Sequence, residues 1–377
     1  IRRQRQMCIR DSFKSYVCKS HLQKMALIVR QAIQTSLKFS SSPVWIQAIK
    51  SRFFIESTFV MEAKIMILTV TLNPSIDVSY PLEHLATNTV NRVKNVRKTA
   101  GGKGLNVSRV IHQMDHDILA TGFIGGYFGQ WLQHQLDNEG IPHQFLSIQA
   151  ETRSSIAILH DNGNQTEILE AGPTIDRKDA NKFLDHFDHL LPEADLVTIS
   201  GSMPQGLPET YYTLMIAHAE KQGVKVLLDT SGATLTHALD APLKPFLIKP
   251  NDEELSDLLK HHVDKNDLST LKQDLQAPVF AGVDWVVVSL GAAGAFAKHG
   301  QNFYHAVIPK IKVVNAVGSG DATLAGLAMG IHDKQSDQTI LKTAMTTGML
   351  NTMQATTGFV DPAQFQIYFN QVTIQPS

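Results

Sequence analysis

Cysteine is nearly absent: the 377 residues hold two, Cys8 and Cys18, and residues 66–377 hold none. That stretch can therefore carry neither a disulfide framework nor a thiolate metal site. No apolar run approaches the roughly 20 residues of a membrane span. Basic charge is short where a polyanion would need it. Residues 1–65 carry 12 Lys and Arg against 3 Asp and Glu, which leaves 22 against 32, a net −10, for residues 66–377. An acidic body excludes nucleic acid as the main partner, because phosphate contacts need a basic face. Standard nucleotide fingerprints are missing as well. The stretch "NAVGSGDATLAG" lacks the G-x-x-x-x-G-K-[ST] spacing and a third glycine for G-x-G-x-x-G. With no strand–G-x-G-x-x-G–helix unit, a nicotinamide dehydrogenase is excluded too. Internal repeats, low-complexity tracts and long linkers are also absent.

What is present is ordinary globular composition, 43% hydrophobic and 18% charged. Residues 1–65 stand apart, Arg- and Ser-rich, poor in acids and without an initiator Met. We expect a non-homologous leader, artefactual or disordered, of upstream or adaptor-derived origin, with the true start at Met61 or Met66. A mitochondrial transit peptide shares the composition and is the other reading. From Met66 the pattern changes. "KIMILTVTL", "DILATGFI", "ADLVTISG", "VKVLLDTSG", "KPFLIKPN" and "DWVVVSLG" are short apolar runs that end in Gly, Asn, Ser or Pro. Helix-patterned segments such as "GLNVSRVIHQM", "PETYYTLMIAHAEKQG" and "DEELSDLLKHH" separate most of them. Continuous apolar strands alternating with amphipathic helices predict a mostly parallel sheet covered on both faces. Such sheets bind ligands at the carboxyl ends of their strands. Two regions, about 75–98 and 153–171, break the alternation. "SIDVSYPL", "NTVNRVKNVRKTAGG" and "TRSSIAILHDNGNQTEILEAGP" read as period-two strands, the last with a hairpin around 161–164. They predict a small separate sheet, a lid over the site.

The chemistry gathers at glycines. A helix starting near Gly320 leaves free N–H groups and a partial positive charge at its tip. Gly318 and Gly320, with Ser319 between them, let that backbone approach an anion. Asp321 in the same turn serves either as N-terminal helix decoration or as a general base beside an anion cradle. "KTAGGKGLNVSRV" places Gly101, Gly102, Lys103 and Asn106 at a second helix start, read either as a ligand cradle or as a flexible connection. Two such starts suit a ligand with two anionic ends. Polar strand ends add Asp77, Asp229, Ser231, Lys249, Asn251 and Glu254, whose carboxylates and amide can hold Mg²⁺ directly or through water. Glu254 could equally favour the first turn of its own helix. The histidines, His112, His116, His134, His143, His186, His189, His261 and His262 among them, show no ligand pairing and read as surface residues.

The ordered set "TLNPSIDVSY", "TAGGKGLNVSRV", "TGFIGGYFG", "ISGSMPQG", "LLDTSG", "KPNDEEL", "VVSLGAAGA" and "VGSGDATLAG" resembles the ribokinase-like (PfkB) carbohydrate kinases. Within them it is most similar to the tagatose-6-phosphate kinases, with 1-phosphofructokinases as near relatives. The resemblance spans about Met66 to Asp361 and does not reach residues 1–65. It implies a cytoplasmic, ATP- and Mg²⁺-dependent kinase for D-tagatose 6-phosphate, with fructose 1-phosphate as the alternative substrate. A non-catalytic sugar-phosphate sensor on the same scaffold is a remoter alternative. By resemblance Asp321 is the base, and the backbone from Val317 to Gly320 is the anion hole. Asp77, Gly101, Gly102 and Asn106 surround the sugar hydroxyls. Lys103, Arg153 and, more weakly, Arg92 meet the phosphate that the substrate already carries. Lys249, Asn251, Ser289, Gly291, Gly294 and Asn351 line the nucleotide, and Glu254 with Asp229 faces the metal. Relatives often dimerise through lid sheets, and the apolar "SSIAIL" and "TEILEAG" fit a homodimer formed that way. Two departures stand out: Ala316 where this subgroup commonly has proline, and Ala292 where polar residues are frequent. Neither is a reacting group.

Overall fold

The computed structural model describes residues 66–161 and 163–377, all within one unit of the chain, Lys64–Ser377. The expectation for the leader lies outside the described residues. Fourteen strands follow one another in this region: β1 (Met66–Thr71), β2 (Ser75–Pro81), β3 (Arg97–Gly101), β4 (Ile118–Gly125), β5 (Leu146–Ile148), β6 (Arg153–His160), β7 (Asn164–Leu169), β8 (Ala194–Ser200), β9 (Lys225–Asp229), β10 (Leu247–Ile248), β11 (Trp285–Ser289), β12 (Ala295–His299), β13 (Asn302–Val307) and β14 (Thr373–Pro376). Ten of them form one sheet in the order β14-β13-β12-β11-β10-β9-β8-β1-β4-β5. From β11 to β5 every neighbouring pair is parallel. All six predicted apolar runs became strands of this parallel stretch.

They are apolar on both sides because both faces are covered. Along β1, Leu68 and Val70 pack into one core with Phe183, Phe187, Tyr211 and Met215. Ile67, pointing the other way, packs into a second core with Leu105, Leu132, Leu327 and Leu341. The first core is roofed by helices Arg177–Leu190 and Tyr211–Lys221, and the second by Lys103–Gln113, Gly126–Glu139, Ser319–His332 and Asp337–Thr352. The small sheet, β3-β2-β6-β7, is the predicted lid, and its β6–β7 hairpin turns between His160 and Asn164. Among the described residues no helix is long and apolar enough to cross a membrane.

One reading needed correction. "NTVNRVKNVRKTAGG" is a strand only over Arg97–Gly101. Before it, Asn91 donates to the Ala86 carbonyl at 2.7 Å and accepts from the Ala86 amide at 3.0 Å, and Asn88 is left-handed at φ 60°. A side chain that satisfies backbone groups locally competes with ladder pairing. The antiparallel extension β12–β14 was not anticipated. Its signal was the alternation of "AFAKH" and "NFYHAV" about a glycine turn at Gly300, whose φ is 56°.

Helix Ser319–His332 runs from the sheet's carboxyl edge to its far end, where His332 Nδ1 meets Asp195 Oδ1 at 2.8 Å. That bond and burial act in opposite senses, and the Asp195 contact wins, holding the imidazole above its ordinary range. A raised histidine stabilises the fold fully below its unfolded pKa and loses that contribution as pH rises through the folded value. His332→Asn should therefore cost about 0.5–1 kcal/mol at about pH 5.5, and much less at about pH 9. Urea midpoints at the two pH values check this; an equal cost at both would remove the ion pair from the account.

Candidate active site

The carboxyl ends of β1, β8, β9, β10 and β11 open toward the lid, so polar residues following apolar strands converge there. The resulting cleft measures about 610 Å³. Along one wall runs the segment from Asn315 to Asp321. Val313, Val314 and Val317 are 57%, 56% and 44% exposed, so the apolar run before the glycines is a loop at the cleft rather than a buried strand. Gly318 is the N-cap of helix Ser319–His332, left-handed at φ 80°, and no side chain caps that helix. A Cβ on Gly318 would meet the Thr357 methyl. The helix tip is thus an uncapped turn of amides in the cleft wall, suited to an anion.

Asp321 sits in that first turn, 6% exposed. Asn106 Nδ2 donates to its Oδ2 at 2.8 Å. Burial, and then the nearby Asp229 charge, raise its pKa to about 7; the Asn106 bond, Lys103 and Lys249 only partly offset them. A carboxylate with proton affinity near neutrality is what a general base requires. Asp229 ends β9 and faces Lys249 Nζ at 3.5 Å, both side chains buried. Lys103 is held above its ordinary range, chiefly by Asp229 and also by Asp321 and Glu254, against burial. The wall is therefore an alternation of two lysines with carboxylates.

Asn251 and Glu254 form a capping box. Glu254 N donates to Asn251 Oδ1 at 2.7 Å, and Asn251 N donates to Glu254 Oε2 at 3.0 Å. Both still line the cleft, as do Asp252, Ser289 and Gly291. Among the described residues no group of three His, Cys, Asp or Glu side chains could hold a metal alone. Such a donor set, one or two carboxylates beside an anion loop, fits Mg²⁺ that keeps waters and shares phosphate oxygens. Asp229 is already paired with Lys249, which leaves Glu254 the better placed of the two expected metal carboxylates.

Across the cleft, the lid presents Asp77, Thr99 and Arg153. Ser75 Oγ donates to Asp77 Oδ1 at 2.6 Å. Burial lifts the Asp77 carboxyl above its ordinary range despite Ser75, Arg153 and Arg109. Arg153 is tied to the backbone, donating to Asn73 O at 3.2 Å and Glu170 O at 3.0 Å.

Most expected residues meet here: Asp77, Gly102, Lys103, Asn106, Arg153, Asp229, Lys249, Asn251, Glu254, Ser289, Gly291 and Gly318 through Asp321 all line one cleft. Four do not. Arg92 is exposed in the loop before β3. Gly101 lies behind Asp77, whose carboxyl fills the space of a Cβ there. Gly294 closes the turn after β11, its carbonyl accepting from Leu290 N at 2.9 Å. Asn351, expected beside a nucleotide base, is 1% exposed and braces the anion loop, Nδ2 donating to Val317 O at 2.9 Å and Oδ1 accepting from Gly358 N at 2.8 Å. Unforeseen residues complete the cleft: Asn315, Thr356, Thr357 and Arg97. Arg97 Nη1 reaches across from β3 to Thr356 Oγ1 at 2.9 Å. Nothing in the run Arg92, Lys94, Arg97, Lys98 marks which cation points inward. Several surface histidines turn out to have carboxylate partners, including His116 with Asp333, His143 with Asp137 and His261 with Asp274.

Similarity to known proteins agrees with this geometry. The model of the pfkB family carbohydrate kinases matches residues 66–364. Among solved structures, a candidate phosphofructokinase from Staphylococcus aureus is 31% identical, over 83% of this chain and 99% of that one, with a TM-score of 0.72. Phosphofructokinase-2 from Escherichia coli, in complex with potassium, is 26% identical over 81% and 98%, TM-score 0.75. A candidate 1-phosphofructokinase from Thermotoga maritima is 25% identical over 83% and 99%, TM-score 0.72. Fold and matches define the class, ATP-dependent sugar kinases of ribokinase-like fold. Within it, the chain belongs to the pfkB family of carbohydrate kinases.

Gly318→Ala would force a left-handed alanine against Thr357, a strain of about 1–3 kcal/mol. The expected outcome is a lower melting temperature together with at least about tenfold lower kinase turnover. Unchanged turnover would detach this loop from the chemistry.

Proposed function

We propose that this kinase transfers the γ-phosphoryl group of ATP to the 1-hydroxyl of D-tagatose 6-phosphate, giving D-tagatose 1,6-bisphosphate and ADP. One observation carries the reading: a buried carboxylate, Asp321, shares a helix tip that no side chain caps with the Gly318 and Gly320 amides, at the floor of a cleft beneath the small sheet. Phosphoryl transfer asks a protein mainly for positioning and charge neutralisation. The acceptor hydroxyl gives its proton to Asp321 while its oxygen bonds to the γ-phosphorus and the bond to the ADP oxygen breaks. The Gly318 and Gly320 amides hold the equatorial oxygens during transfer, while those of Val317 and Ser319 donate to Asn315 Oδ1 and the Ala316 carbonyl and keep the loop in shape. Asp77 and Asn106 orient the sugar. Glu254, Asn251 and water would hold Mg²⁺, which supplies charge neutralisation on the nucleotide phosphates. ATP lies along the cleft-lining residues Lys249, Asn251, Ser289 and Gly291. A second cavity of about 500 Å³ shares Gly102, Lys103 and Arg153 with the first, which gives the phosphate already on the sugar two cations and room. The lid excludes water that would otherwise accept the phosphoryl group.

Fructose 1-phosphate is the second reading, favoured by the likeness to a candidate 1-phosphofructokinase. A panel of kcat/KM values for tagatose 6-phosphate, fructose 6-phosphate and fructose 1-phosphate separates them. We expect tagatose 6-phosphate to lead; a strong preference for fructose 1-phosphate overturns the substrate assignment and leaves the chemistry intact. Asp321→Asn should lower kcat by about 10²–10⁴-fold with substrate binding retained. In the parent enzyme kcat should climb as pH rises through the Asp321 value of about 7. Near-normal turnover in Asp321→Asn removes this residue from the base role.

Ile168 and Leu169, 54% and 60% exposed on the lid, support a homodimer formed through the lid strands. A solution mass measured by light scattering tests it, and a monomer mass would count against it.

A further inference from the structure

We propose that Arg109 is a positioning residue for phosphoryl transfer, dictating which end of the Asn106 amide faces Asp321. The inference rests on the reading of Asp321 as the base. Arg109 is 3% exposed, an unusual site for a guanidinium unless every donor is engaged. Its Nε donates to Glu139 Oε2 at 2.7 Å, its Nη2 to the Ala100 carbonyl at 2.6 Å and its Nη1 to Asn106 Oδ1 at 3.3 Å. Asn106 Nδ2 then donates to Asp321 Oδ2 at 2.8 Å.

Direction is what matters in this relay. A guanidinium has donors only, so the amide end turned toward Arg109 must be the oxygen. That leaves the NH₂ for Asp321, where it serves the ionised carboxylate. Protonation would give Asp321 an O–H that the NH₂ facing it cannot accept, whereas the ionised carboxylate is the stronger acceptor for that NH₂. The relay therefore favours the state able to take a proton from the sugar hydroxyl. The loop over this pair leaves no slack: a Cβ on Gly358 would come within 2.9 Å of Asn106 Oδ1 and 3.0 Å of Arg109 Nη1. Gly358 is also the residue whose amide holds Asn351 against the anion loop. The settings of the base and of the phosphate cradle meet at that one glycine.

Other charges face the relay. Asp229, Lys103 and Lys249 act on Asp321, while Glu139 and Asp77 flank Arg109. None of them takes over Asn106 Oδ1, so losing Arg109 frees the amide to flip.

The test is kcat against pH for the full chain, with ATP–Mg²⁺ and whichever hexose phosphate turns over fastest. Arg109→Met should move the acidic limb up by about one pH unit, since a lost charge and a lost acceptor constraint act in the same sense. Activity should fall about tenfold on the acidic side and return toward the parent value on the alkaline side. Arg109→Lys, keeping the charge but not the fork, should lie between. The double variant Arg109→Met/Glu139→Met removes both partners of the ion pair, which a fold tolerates better than one stranded charge, and should show the same displacement. A limb that stays at the parent position, or a loss by one factor at every pH, overturns the proposal. Asp321→Asn separates the two levels. If it is inactive while the limb stays fixed, the role of Arg109 alone fails; if it remains active, the reading of Asp321 fails first.

Discussion

Everything in this structure turns on a carboxylate kept out of water at the tip of a helix. Burial favours the protonated form of Asp321, and the Asp229 charge pushes in the same direction. A carboxylate held in place by two lysines and nothing else would lose its basicity. The Asn106 amide, Lys103 and Lys249 offset burial only in part, and Asp321 ends near neutrality. At that value it is ionised often enough to accept a proton and basic enough to keep it.

The fold supplies these opposing groups from separate elements. Asp229 comes from the end of β9, Lys249 from just past β10, and Lys103 and Asn106 from the first turns of a helix that follows the lid strand β3. Parallel strands all finish at the same edge of the sheet, so residues far apart in sequence meet there without long loops. The price is precision: the helix carrying Asp321 must not slide. Its body is buried between the sheet and helix Asp337–Thr352, and its far end is tied by His332 to Asp195. The wall carrying Asp321 is therefore built from buried elements, and the facing wall from the small sheet.

Much of this was legible in the sequence. The six apolar runs, the lid hairpin and the helix starts at Lys103 and Ser319 needed only periodicity and glycine position, because burial on both faces leaves a strand little choice of residue. Asp321, Asn106 and Lys103 were visible as polar residues beside glycines, and Asp77 as a polar residue expected at a strand end, where the structure instead places it within β2. What sequence hid was direction. Asn351, expected along the nucleotide, proves to be a buried brace. Arg109 sits in "NVSRV" looking like one charged position on an amphipathic helix, yet its guanidinium is inside, because Glu139 and the Ala100 carbonyl wait there. Arg97 and Arg92 lie five positions apart in one basic stretch, and only the pairing of β3 with β2 turns the former to the cleft. Such choices depend on partners distant in the chain.

The central claim concerns one proton on one side chain. A carboxyl-selective titration, by isotope-edited infrared or ¹³C NMR, with Asp321→Asn used to assign the signal, reads it directly in the ligand-free protein. The account predicts an Asp321 midpoint near the value of about 7 set by its surroundings. A midpoint in the ordinary aspartate range, about 4, would contradict it.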